Sequence, residues 1–222
     1  MTCFNPECQR CPRLVDFLGS LRKPYHDYFC APVPAFGDVM PKLLIVGLAP
    51  GMHGANRTGR PFTGDFAGVL LYQTLYDLGL ASLPTSKHAD DGLQLFGVRI
   101  TNAVKCLPPK NKPIAAEIHA CNDYLQQEIT CLANECQLLA LGKIAHDAVL
   151  KSYGERLSAH VFSHAAAHTM PDGRTLFDSY HCSRYNTQTR RLTPTMFYDL
   201  LAHIDCLVNI NNKSMLGLGD KS

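Results

Sequence analysis

The sequence predicts an α/β fold, a three-layer α/β/α sandwich around a central four-stranded parallel sheet. Two observations carry this expectation. Four short apolar runs, rich in Leu, Ile and Val, have the length and composition of strands buried on both faces. Segments with helical spacing of apolar residues alternate with them, the pattern of helices packed on both faces of a sheet. With 222 residues, 46% of them hydrophobic, the chain can bury one sizeable core. Residues 1–209 are therefore expected to form a single domain, and residues 210–222 a loose C-terminal tail.

In chain order, a helix is expected from about Pro12 to Leu21, opened by a proline suited to a first helical turn. The first strand is Lys42–Gly47, followed by a helix from Asp65 to Leu80. The second strand, Val98–Ala103, precedes a helix from Pro113 to Cys131, again with proline at its start. The third strand is Gln137–Leu141, with a helix over Lys143–Tyr153. The fourth is Leu176–Tyr180. A last helix runs to Val208 from Thr193, a capping residue with Pro194 behind it. Ligands of such sheets bind outside the carboxyl ends of the strands, so the residues that carry chemistry are expected there.

Charge and composition narrow the function. Charged residues make up 18% and the formal net charge is +2, so contact with nucleic acid must come from local basic patches. The start, Met1 to Leu14, has charges and prolines where a signal peptide needs a continuous apolar stretch. No run approaches the roughly 20 apolar residues of a membrane span. The expected compartment is the cytoplasm, with the chain associated with the nucleoid when it acts on DNA. In that reducing setting ten cysteines point to metal binding before disulfides.

The first strand leads into a long glycine-rich loop from Gly47 to Asp65, with Gly51 among its glycines. Its spacing fits neither a P-loop nor a dinucleotide fingerprint, which argues against a nucleotide cofactor. Between Val39 and Tyr76 the only carboxylate is Asp65, while Lys42, Arg57 and Arg60 supply cations. A lone anion at a loop–helix junction suits a reaction that develops positive charge on a sugar, such as N-glycosidic cleavage, because it stabilises an oxocarbenium-like state and orients water. Helix capping alone also accounts for an Asp there. Phe62 offers an aromatic face on which an extruded base can stack, or a core side chain.

Three runs, GLAPGMHGANRTGRPFTGD, TNAVKCLPPKNKP and YHCSRYNTQTRRLTP, together closely resemble the family 5 (B-type) uracil-DNA glycosylases, related to the iron–sulfur family 4 enzymes. They span Gly47 to Pro194 in the family's order and spacing. The resemblance implies the uracil-DNA glycosylase fold, base flipping and monofunctional excision of uracil, with hypoxanthine and other deaminated bases as further substrates. It matches Asp65 to the catalytic carboxylate, Phe62 to the stacking aromatic, Asn102 to the base-reading amide and His181 to the histidine that faces the base, with Gly47 and Gly51 beside the base. Two positions depart. Cys182 stands where many members carry Pro, and Leu48 where family 4 has an acid, which leaves Asp65 as the candidate acid.

The chemistry of the matched residues is coherent. Uracil presents an acceptor at O4, a donor at N3 and an acceptor at O2. One asparagine amide can meet O4 and N3–H together, a pattern cytosine reverses. A donor from His181 aimed at O2 would stabilise charge on the departing base. After His181, no acid interrupts a polar run that includes Arg184, Tyr185, Asn186, Arg190 and Arg191. These suit phosphate contacts, with Arg184 or Tyr185 able to fill the gap left by a flipped base. Lys105, Lys110 and Lys112 form a second basic patch expected to touch the DNA backbone. The expected partner is DNA containing uracil or another deaminated base, with the chain acting as a monomer.

Cys8 and Cys11, spaced x2, and Cys106 and Cys121, spaced x14, suit either a [4Fe–4S] cluster or a four-cysteine zinc site. The resemblance implies the cluster, with Cys8, Cys11, Cys106 and Cys121 as ligands in a structural role. Cys30, Cys131, Cys136, Cys182 and Cys206 are expected to be ordinary thiols, with Cys3 as a replacement ligand at most. Two other functions compete: an inactive DNA-binding or damage-sensing protein of the same fold, and a zinc nucleotide hydrolase.

Overall fold

The computed structural model describes residues 4–210, so Cys3 and the tail expected beyond Ile210 lie outside the described residues. The elements follow one another as α1 (Pro12–Arg22), β1 (Phe36–Gly37), β2 (Leu43–Gly47), α2 (Ala55–Thr58), α3 (Phe66–Asp77), β3 (Val98–Asn102) and α4 (Ala115–Thr130). Then come β4 (Gln137–Leu141), α5 (Lys143–Ser152), β5 (Ala167–Thr169), β6 (Thr175–Ser179), α6 (Arg184–Gln188) and α7 (Pro194–Val208).

The sheet has the order β1-β3-β2-β4-β6-β5. Its four inner strands are parallel and coincide with the four apolar runs, in register Leu43↔Val98, Leu43↔Gln137 and Leu138↔Leu176. The four expected parallel strands form the centre of the sheet, and β1 and β5 extend it to six with antiparallel edges that the sequence did not signal. Strands of two and three residues carry no readable periodicity, and β5 leaves Ala167 and Thr169 exposed, so neither had an apolar signature.

Alternation along the strands builds the three layers. Leu43, Ile45, Val98, Ile100, Leu139 and Leu141 pack on one face against Leu71 and Leu75 of α3 and Phe197, Leu201 and Ile204 of α7. Leu44, Val46, Leu138, Ala140 and Leu176 pack on the other against Leu125 and Ile129 of α4 and Ala145 and Val149 of α5. Each such Leu, Ile, Val or Phe contributes about 1.5–3 kcal/mol by leaving water. Ile210 joins the first cluster, so the chain is still packed at the last described residue.

α1 lies against α4 through a smaller cluster of Leu14, Val104, Cys121 and Tyr124. An Arg13–Glu117 fork pins it there, with Nε and Nη2 donating to the carboxylate at 2.7 and 2.8 Å. The polar stretch after His181 contains α6, a short helix capped by Ser183, whose side chain accepts from the Asn186 N–H. No described helix is long and apolar enough to cross a membrane.

Candidate active site and metal-binding centre

The loops that leave β2, β3 and β6 at their carboxyl ends enclose a cavity of about 320 Å³ lined by Gly51, Phe62, Asp65, Asn102, His181 and Arg184 among others. Leu48 and Arg184, 136 positions apart in sequence, thus share one space.

Each functional side chain is placed by local structure. Asp65 caps α3 and accepts from the Gly68 N–H at 2.9 Å through Oδ1, which leaves Oδ2 turned toward Gly51 and Gly54. Capping and presentation to the cavity are therefore the same arrangement. Burial raises the Asp65 pKa above its ordinary value, and hydrogen bonds from the Gly68 and Ala67 amides oppose that rise.

Phe62 holds φ of +53°, a left-handed conformation that is costly for a bulky residue. Its surroundings over-determine it. The buried Tyr72 hydroxyl donates to the carbonyl of Pro61 at 2.7 Å. Arg60 is clamped by Thr63, Ser86 and Asp91, the last at 2.6 Å. Arg60, counted among the loop's free cations from sequence, is thus spent on fixing the loop.

Gly47 ends β2 opposite Asn102 at the end of β3. A Cβ on Gly47 would lie 2.4 Å from Asn102 Oδ1 and 2.6 Å from Phe62 Cζ, so only glycine lets the amide and the ring come together here. Asn102 is 4% exposed and lines the cavity. An amide at a cavity wall offers a ligand both a donor and an acceptor. The His181 ring lies 5.9 Å from that of Phe62, and the carbonyl of His181 accepts from the Asn186 amide at 2.9 Å. Burial lowers the His181 pKa, so the imidazole is neutral at pH 7.

Of the predicted DNA-contacting residues, Arg184 lines the cavity, and Asn186 and Arg191 line a neighbouring one that His181 also borders. The Arg184 guanidinium lies 5.0 Å from the centre of the Phe66 ring, and Tyr185 beside it is 70% exposed. Arg190 is exposed, and Arg191 lies over the Tyr180 ring. Asn186 has its amide committed to the His181 carbonyl, so it holds the His181 loop. Of the second basic patch, Lys110 and Lys112 are exposed but Lys105 is not. Its ammonium is buried and donates to both oxygens of Glu128, at 2.9 and 2.8 Å, and to Thr101. Lys105 is therefore corrected from a DNA contact to an internal strut between β3 and α4, because a buried acid nearby outweighs solvent. Sequence reading missed Asn111 and Ser183, which also line the cavity; both lie within the quoted runs, but neither residue type by itself signals a role there.

A second concave site lies between α1 and α4, lined by Cys8, Cys11, Cys106 and Cys121 with Leu14, Val104 and Tyr124. The thiols sense one another. Burial first, and then Cys121, Cys8 and Cys11, push Cys106 up to about 12. Cys30, Cys136 and Cys182 are buried away from this site, as ordinary apolar thiols are.

A profile of the uracil DNA glycosylase superfamily matches residues 34–205, a span that holds the whole cavity. The chain belongs to the uracil DNA glycosylase superfamily. It is 49% identical to a type-5 uracil-DNA glycosylase of Thermus thermophilus over 87% of this chain and 90% of the relative. It is 42% identical to that of Mycobacterium leprae over 91% of this chain and 92% of the relative. Similarity to a type-4 enzyme of Pyrobaculum aerophilum is 38% over 60% of each chain. Within the superfamily domain, Leu48 lines the cavity without bringing an acid, and Asp65 is the carboxylate that does so.

Proposed function

We propose that this chain is a monofunctional DNA glycosylase that flips uracil out of DNA and hydrolyses its N-glycosidic bond, initiating base excision repair. One observation carries the reading: a lone carboxylate, an asparagine amide, a neutral imidazole and an aromatic ring converge on one cavity. At about 320 Å³ it falls in the range of small-ligand pockets.

The extruded base stacks on Phe62, with Gly47 leaving room beneath ring and amide. Asn102 donates to O4 and accepts from N3–H. As the C1′–N1 bond breaks, its electron pair leaves with the base, and His181 donates to the charge gathering at O2. A neutral imidazole does this without itself surrendering a charge. Ionised Asp65 faces the positive charge on the sugar and orients water. The water oxygen bonds to C1′, and the water proton passes through Asp65 to solvent. Arg184 and Tyr185 at the rim hold the gap in the duplex, with Arg190 and Arg191 on phosphates, offsetting an unstacking cost of a few kcal/mol. The site is complete within one chain, which supports action as a monomer, and the same reading has it work in the cytoplasm, on DNA.

The four cysteines fit a [4Fe–4S] cluster. Cys8, Cys11, Cys106 and Cys121 line one concave site, and four thiolates are the usual ligand set of such a cluster. When bound, the cluster supplies a covalent tie and no step of the hydrolysis, since that reaction moves no electrons between substrate and protein. Cys8 and Cys11 would then be joined through it to Cys106 and Cys121, fastening α1 to the loop that follows Asn102.

A labelled uracil-containing oligonucleotide, incubated with the protein and then treated with alkali, tests the reading. Strand breaks at uracil that vanish in Asp65→Ala support it, and the same assay ranks hypoxanthine and other deaminated bases. Tight binding without breaks would instead favour an inactive sensor of DNA damage. A broad visible absorption band, with about four irons per chain expected from the cluster type, tests the cofactor.

A further inference from the structure

On the sheet edge opposite β1, behind the loop that carries His181, three side chains meet that the glycosylase reaction does not use. Asp178 of β6 is completely buried, and its two oxygens face only histidines: Oδ1 lies 2.8 Å from His146 Nδ1 of α5, and Oδ2 lies 3.1 Å from His168 Nε2 of β5. The donor atoms of all three lie within 4.8 Å of one another, the one such group among the described residues. We infer that His146, His168 and Asp178 form a site for a divalent cation of the zinc type, separate from the four cysteines.

A buried carboxylate requires a compensating cation, and no lysine or arginine pairs with Asp178 among the described residues. Both ring nitrogens of His146 face acceptors, because Nε2 lies 3.1 Å from the carbonyl oxygen of His160. A neutral imidazole donates through one nitrogen only. With Nε2–H on the carbonyl, the Nδ1 lone pair points at a carboxylate oxygen, and a cation must stand between them. That cation is a second proton or a metal.

The geometry around Asp178 favours the metal. Metal-binding histidines commonly donate their other ring N–H to a backbone carbonyl, as His146 does to His160. A proton on His146 would satisfy the pair by itself and leave no need for a third group. Yet His168 also turns a nitrogen onto the same carboxylate, its ring 5.3 Å from that of His146. Two imidazoles and one carboxylate are a zinc-type donor set. Bonds of about 2.0–2.1 Å to each donor in a tetrahedron would separate them by about 3.3 Å. The separations of Asp178 from His146 and His168, 2.8 and 3.1 Å, lie within about half an ångström of that value. His168 is 13% exposed, so the ion enters from that side, and solvent or a rearranged His160 supplies the fourth ligand. The ion would lock three-residue β5 to β6 and α5.

The experiment compares the chain with His168→Ala, a change at a partly exposed position. Each protein, as purified, is titrated with zinc chloride, freed of loosely bound metal by gel filtration and measured for zinc content and thermal midpoint. The visible absorption is followed to detect any exchange at the cysteines. The wild-type chain is expected to hold one zinc more per chain than His168→Ala and to melt several degrees higher with zinc, a gain absent from the variant. His168→Ala should excise uracil at the wild-type rate. Equal zinc content in the two proteins overturns the site, as does a thermal midpoint that zinc leaves unchanged. Neither readout involves DNA, so the result stands or falls apart from the glycosylase reading.

Discussion

A methyl group on Gly54 would lie 2.5 Å from Oδ2 of Asp65 and 2.7 Å from its Cβ. The carboxylate is thus held between its own helix and a backbone that no side chain keeps at a distance. Gly54→Ala should displace it by several tenths of an ångström and lower the single-turnover rate of uracil excision by up to about 100-fold. Gly51→Ala is the comparison, because its Cβ would meet Asp65 Oδ2 at an ordinary 3.7 Å. A loss in Gly51→Ala as large as that in Gly54→Ala would refute the close-approach argument.

Asp65→Asn separates chemistry from stability. Asparagine caps a helix as well as aspartate does, so α3 keeps its start. The anion is lost, and the rate should fall roughly 100- to 10,000-fold. Burial raises the Asp65 pKa in the folded state, so ionised Asp65 costs stability at neutral pH. Asp65→Asn should melt at or above the wild-type temperature. The same shift sets the acid limb of the rate: activity is lost as pH falls through a pKa higher than that of an ordinary Asp.

His181→Phe retains a ring beside Phe62 and removes the donor. A loss of about 100- to 1000-fold in kcat with little change in substrate affinity is expected. Because burial lowers the His181 pKa, the rate should show no step near pH 6.5, where an ordinary histidine titrates. A pH profile measured on the wild-type protein decides this.

Lys105, Glu128 and Thr101 join β3 to α4 between Asn102 and Cys106. Glu128→Gln leaves a buried ammonium without its partner and should cost about 3–5 kcal/mol in denaturant unfolding. Replacing Lys105 by Met and Glu128 by Leu together should recover most of that loss. If the single change is silent, the strut has been misjudged.

Acid stability should rest partly on Asp91 and Glu117. Burial alone would raise both carboxyls, but Arg60 with the Lys87 and Leu93 amides holds Asp91 low, and Arg13 with the Ile114 amide holds Glu117 low. Folded-state values below the unfolded ones mean a contribution that is complete above about pH 4 and lost as pH falls through the depressed values. Asp91→Asn should flatten the decline of thermal midpoint on acidification.

Much of the architecture was legible because its signals are local. Five-residue apolar runs mark β2, β3, β4 and β6, and capping residues mark α3 and α7 within a residue or two. Asp65 stood out as the single acid in a long stretch, Asn102 as a polar residue at the end of a strand and His181 as one just past a strand. β1 and β5 were invisible, since an edge strand of two or three residues is defined by its partner and not by its own pattern. Lys105 was misread for the same kind of reason. A lysine looks basic and exposed until a glutamate 23 positions later folds onto it.

The order of strands and helices, the lone loop acid, the paired cysteine spacings and the three motifs are properties of the sequence alone, because each depends on neighbours within a few residues. Which cations stay exposed, how Gly47 brings Phe62 and Asn102 together, and which histidines gather on Asp178 were decided only by the tertiary structure. Those outcomes depend on burial and on contacts between segments tens to more than a hundred residues apart, and no local pattern records them.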